Sequence, residues 1–133
     1  MRLKSKGSCV LDASALMSLI NGEPGSVLVQ QHLDKACIST VNLTEVLGKM
    51  LEQGVPALDA EKALRNLNLE IIAFDEEQVL GVSLLQLETK RYGLSLADRV
   101  CLNLGKVLKL PVLTSDKIWQ KVSNSEVMVT LIR

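Results

Sequence analysis

The feature that most constrains this chain is an alternation of two kinds of segment. Short apolar runs of three to six residues recur along it: "CVL" (9–11), "ACIST" (36–40), "LEIIAF" (69–74), "PVLTS" (111–115) and "VMVTLI" (127–132). Between them lie stretches with helical spacing. A strand returning parallel to its predecessor needs a crossover of a dozen or more residues, and these stretches supply it. The expectation is an α/β fold: one domain over residues 1–133, with a mostly parallel central sheet of four or five strands flanked by helices.

The crossovers can be placed from their punctuation. A helix begins at about Ser14 and is broken by "NGEPG" (Asn21 to Gly25). Ser26 to Lys35 has helical spacing, with Val27, Leu28, Gln31 and Asp34 on successive turns. Asn42 to Gln53 carries an apolar stripe of Leu43, Val46, Leu47, Met50 and Leu51, ended by Gly54 and Pro56. Further helices are expected at Ala57 to Asn66, from "DEEQ" to Tyr92 with Gly93 as a cap, at Ser95 to Leu108, and briefly at Lys117 to Val122.

Several functional classes drop out by inventory. The longest apolar helical run, Val79 to Leu87, is too short to span a bilayer. His32 is the single histidine, so a histidine-based triad or a zinc cluster would have to be built on it, and it reads as a surface residue. GxSxG, GxGxxG and GxxxxGK[ST] are all absent, which removes the nucleophile-elbow and nucleotide-loop readings. Cys9, Cys37 and Cys101 form no CxxC pair and read as buried, reduced thiols of a cytoplasmic protein. Aromatic residues make up 2% and hydrophobic residues 47%, at a mean hydropathy of +0.24. The core is therefore aliphatic, and some apolar surface is expected against another subunit or partner.

Net charge is zero, yet from Thr89 onward lysines and arginines exceed acids by five. A local basic segment suits phosphate contact, although alone it reads as solvated helix faces.

Ligands of open parallel sheets sit beyond the carboxyl ends of the strands. Asp12 follows the first strand and Asp116 the fourth; Glu45 and Asp98 open helices that start on the same side. Taken singly, each acid reads as a helix cap: "NLTE" (42–45) and "SLAD" (95–98) have capping-box spacing, and Asp12 and Asp116 could each cap the next helix. Capping does not account for four acids converging on one sheet edge. Carboxylates so placed repel unless a cation lies between them, and oxygen ligands suit Mg²⁺ or Mn²⁺. Such an ion activates water and stabilises charge on a phosphoryl group.

Together "VLDASAL", "STVNLTEV", "YGLSLADRVCLNLG" and "PVLTSDKIW" resemble the four acidic motifs of PIN-domain proteins, and more narrowly the small VapC-type toxins of toxin–antitoxin pairs. The resemblance covers essentially the whole chain. It implies Mg²⁺- or Mn²⁺-dependent endonucleolytic cleavage of RNA, neutralised by a cognate antitoxin; a homodimer is expected separately, from the apolar stripe of Asn42 to Gln53, the helix at Ser26 to Lys35 and the high hydrophobic content. It also implies that Asp12 and Asp98 are direct metal ligands, with Glu45 and Asp116 orienting water or a second ion. Ser14 and Thr114 match hydroxyl positions beside the acids and read equally as caps. Asn103 and Gly105 depart from the small helix formers expected after Asp98.

Two other readings stand beside this one. A haloacid-dehalogenase-like phosphatase would carry a second aspartate two residues after Asp12, where this chain has Ser14. A non-catalytic module would use the acids to grip an antitoxin's arginines.

Overall fold

The computed structural model describes residues 3–122 and 126–133. Five strands form one sheet: β1 (Cys9–Leu11), β2 (Ala36–Ser39), β3 (Glu70–Ile72), β4 (Val112–Thr114) and β5 (Val129–Leu131). Their order is β3-β2-β1-β4-β5, and every pairing is parallel. Among the described residues six α-helices supply the first three crossovers: α1 (Ala13–Asn21), α2 (Ser26–His32), α3 (Thr40–Glu52), α4 (Ala57–Arg65), α5 (Glu76–Thr89) and α6 (Leu96–Leu108). Short 3₁₀ turns follow α2, α5 and β4.

The sheet divides two aliphatic cores, as its alternating side chains require. Cys9 and Leu11 face one core with Leu16, Ile38 and Val46, while Val10 and Cys37 face the other with Leu104, Val112 and Trp119. All three cysteines are free and buried. Burial pushes the Cys9 thiol up to about 11 and the Cys37 thiol up to about 12, so neither is a ready nucleophile. No helix among the described residues is long and apolar enough to cross a membrane.

Most boundaries fall where the punctuation puts them; Gly22, in the left-handed conformation, ends α1 within "NGEPG". Four details differ. Helix α3 starts at Thr40, not Asn42, because the Ser39 hydroxyl accepts the Val41 amide and caps the helix directly at the strand end. Asn42 therefore lies inside the first turn, and "NLTE" is not a capping box. Helix α2 buries Val29, while Val27 is exposed, so the inward stripe is rotated from the one expected. His32 is half-buried, with Nδ1 bonded to the Leu28 carbonyl at 2.9 Å.

Close approach of elements explains Asn103 and Gly105. A Cβ on Gly105 would lie 2.4 Å from Val112 Cγ2, and one on Gly81 would lie 2.5 Å from Asn103 Oδ1. Gly105 seats α6 on β4, and Gly81 seats α5 on α6. Gly105→Ala is therefore expected to destabilise the fold. Overpacking costs about 1–3 kcal/mol, against a gain of up to ~1 kcal/mol in helix propensity. Urea unfolding midpoints check the sign.

Candidate active site

β1 has β2 on one side and β4 on the other, so the chain's path reverses direction between β1 and β4. Beyond the carboxyl ends of these two strands an open parallel sheet forms its crevice. Asp12 and Asp116 leave the sheet there. Among the described residues Asp12 is the only buried acid, at 4% exposure.

Asp12 is held by three donors. Its Oδ1 accepts the Ala15 amide at 2.8 Å and the Ser14 hydroxyl at 2.7 Å, and its Oδ2 accepts the Thr114 hydroxyl at 2.6 Å. The same hydroxyls accept in turn: Ser14 Oγ from the Ser115 amide at 2.9 Å, and Thr114 Oγ1 from the Asp116 amide at 3.0 Å. Ser14 and Thr114 thus stitch the ends of β1 and β4 together around one carboxylate. Asp12 does cap α1, but capping uses only one of its three bonds.

Asp98 lies in the first turn of α6. Its Oδ2 accepts the Ser95 amide at 2.9 Å, and its own amide donates to Ser95 Oγ at 3.2 Å. "SLAD" is therefore a true capping box. Asp116 is exposed and caps the 3₁₀ turn after β4 through the Ile118 amide at 3.0 Å. Glu45 is exposed on the second turn of α3, with Oε1 3.5 Å from the Asn42 amide nitrogen. That nitrogen also donates to the Ala97 carbonyl at 3.1 Å, which joins α3 to the start of α6.

Electrostatics shows which acids share a neighbourhood. Burial raises the Asp12 carboxyl to about 6; the bonds from Thr114, Ser14 and Ala15 oppose the rise, and the charge of Asp98 adds to it. The buried Cys101 thiol is pushed well up, first by burial and then by Asp12, Asp98, Cys37 and Glu45. Asp12, Asp98 and Glu45 thus all act on the Cys101 thiol. Asp116 joins Asp12 through Thr114. Among the described residues no three acidic, histidine or cysteine side chains are gathered closely enough to hold a metal ion. The acids line one edge without closing into a cage. Among the described residues no lysine or arginine pairs with any of the four; the ion pairs there include Arg65–Glu61 and Lys106–Glu126.

Asn42 is the site-proximal residue that motif reading assigned wrongly, as a cap. Its place on the buried stripe with Val46 and Met50, four residues apart, was the available signal.

No curated protein matches the chain in sequence. Solved structures do match in fold. A chain of DNA-bound VapBC from Salmonella typhimurium superposes with a TM-score of 0.74 at 14% identity, covering 96% of this chain and 99% of that one. A toxin-antitoxin complex from Klebsiella pneumoniae matches at 0.73 and 20% identity, over 91% and 96%. VapBC-5 from Mycobacterium tuberculosis, of the VapBC family of toxin-antitoxin systems, matches at 0.62 and 18%, over 95% and 98%. Identities this low show a shared fold. The sequence model of the PIN domain matches residues 9–124, a span that takes in the crevice and all four acids. By that match the chain belongs to the PIN domain family.

Proposed function

We propose that this protein is a metal-dependent endoribonuclease of the toxin–antitoxin kind, hydrolysing RNA phosphodiester bonds and restrained by a cognate antitoxin. The observation that carries the reading is Asp12: a buried carboxylate where the chain reverses direction between β1 and β4, within the electrostatic reach of Asp98 and, among the described residues, paired with no cationic side chain. A buried charge is retained only when something compensates it. Carboxylate and hydroxyl oxygens are the donors that Mg²⁺ or Mn²⁺ takes, so the residues present fit such an ion. Asp12 and Asp98 would hold it, with Glu45 and Asp116 on water or a second ion.

When bound, the ion would activate water and offset charge on the scissile phosphate. The chain's own groups do the rest. Ser14 and Thr114 fix the Asp12 carboxylate in one rotamer, and the capping box does the same for Asp98. Lys117, exposed next to Asp116, puts a positive charge at this edge for the RNA backbone. Four acids would otherwise repel a polyanion.

Metal dependence on a generic RNA tests the reading. Cleavage is expected with Mg²⁺ or Mn²⁺ and none in EDTA; cleavage that persists in EDTA overturns it.

A homodimer belongs to the same proposal. Leu80, Leu84 and Leu87 are 68%, 53% and 82% exposed and share one face of α5 at helical spacing. Sedimentation of the wild type is expected to show a dimer, and Leu80→Glu with Leu84→Glu a monomer. A wild type that stays monomeric at high concentration removes this part.

A further inference from the structure

We propose that Asn42 is a positioning residue of the acid site, its amide tying the Glu45 carboxylate to the turn of α6 that carries Asp98. The inference rests on the ribonuclease reading and adds to it how two acids on separate helices keep their span.

Asn42 is 1% exposed, among the most completely buried side chains of the protein. Its Nδ2 is forked, donating at 3.1 Å to the Ala97 carbonyl, 55 residues away in sequence, and approaching Glu45 Oε1 at 3.5 Å. The orientation of the amide is settled by these partners. Turned over, its oxygen would face a carbonyl and a carboxylate, both acceptors. Ala97 directly precedes Asp98, so the two contacts of one amide span from one acid to the backbone carbonyl just before the other.

The second observation is the other end of the same amide. Asn42 Oδ1 is buried and has no hydrogen-bond partner among the described residues. An unsatisfied buried acceptor is destabilising, and an apolar side chain of the same shape would pack α3 on α6 without it. The bond to the Ala97 carbonyl joins the two helices, and the same donor, directed at Glu45, gives asparagine a second use that an apolar residue could not supply. Glu45 itself is exposed, and a free glutamate side chain samples several rotamers. Supporting contacts of this kind orient metal-binding groups.

The test uses Asn42→Leu, which keeps the branched shape at a larger volume and removes the donor, and Asn42→Ser, which removes the reach with less crowding. Calorimetric Mn²⁺ affinity and steady-state RNA cleavage are read beside thermal melts. Expected is a loss of about 10–100-fold in Mn²⁺ affinity and in kcat for both variants, as for other residues supporting metal ligands, with KM for RNA unchanged. In a Glu45→Gln background the further loss of Mn²⁺ affinity from Asn42→Leu should vanish, because Asn42 acts through that carboxylate. Mn²⁺ affinity within twofold of wild type overturns the proposal, as do losses undiminished in the Glu45→Gln background. Two variants that fail to fold mean that Asn42 is a helix strut, which also overturns it. A wild type that takes up no Mn²⁺ removes the ribonuclease reading itself, and this inference with it.

Discussion

Asp12→Asn and Asp98→Asn are each expected to lower RNA cleavage roughly thousandfold while leaving the fold intact. An ion that organises water and phosphate contributes several kcal/mol to the transition state; about 4 kcal/mol corresponds to a thousandfold in rate. Asparagine keeps the size of aspartate and can still cap α1 at position 12, because its side-chain oxygen can accept the Ala15 amide. The loss should therefore appear in kcat and in Mn²⁺ affinity, with circular dichroism unchanged. Two variants that both keep more than a tenth of wild-type activity would overturn the metal role.

The second large effect is on stability, and its sign depends on pH. The Asp12 carboxyl titrates at about 6 in the folded chain against an ordinary value of 3.8, chiefly because it is buried. Between those two values the folded state holds a proton that the unfolded state has released, so stability falls as pH rises through this window. Below it both states are protonated and the group contributes nothing. Above about 6 the full penalty applies, on the order of 3 kcal/mol. The metal-free protein is thus expected to be less stable at pH 7.5 than at pH 5 through this group, and Asp12→Asn to flatten that slope. At pH 7.5 the apo Asp12→Asn protein should melt above the apo wild type. Asp12→Ala also loses the cap on α1, worth about 1 kcal/mol, and should gain less. Saturating Mn²⁺ should raise the wild-type melting temperature at pH 7.5 and leave Asp12→Asn nearly unmoved; a hundredfold excess over the dissociation constant is worth about 2.7 kcal/mol. Paired melts at the two pH values, with and without Mn²⁺, check all of this. An apo mutant that melts below the wild type at pH 7.5 would make Asp12 a cap before anything else.

Much of the architecture was legible because periodicity and punctuation agree. Short continuous aliphatic runs, helical stripes and the Gly-Pro breaks all point to parallel strands with helical crossovers. The failures have particular physical causes. "ACIST" ends in β-branched and hydroxyl residues that suit a strand as well as a helix start, and only the bond from the Val41 amide to Ser39 Oγ decides between them. Gly105 looked like a mild weakness in a helix, because nothing local announces that Val112 will lie against it. The position of Asp12 was legible, but not that one carboxylate would both cap a helix and accept two hydroxyls. Caps and site groups draw on the same residue types, so sequence spacing alone cannot separate them.

The bond from Thr114 to Asp12 joins residues 102 apart in the chain. β1, made before β4, must wait for it before its second edge is covered. Closing so long a loop is entropically unfavourable, and parallel pairings of this separation form late and slowly in folding. A nascent chain that has emerged as far as α5 already contains Asp12 and Glu45, yet it lacks Asp98, Thr114 and Asp116. Its crevice cannot exist. On the proposed function, a growing chain that has not yet added β4 has no assembled site with which to cut RNA.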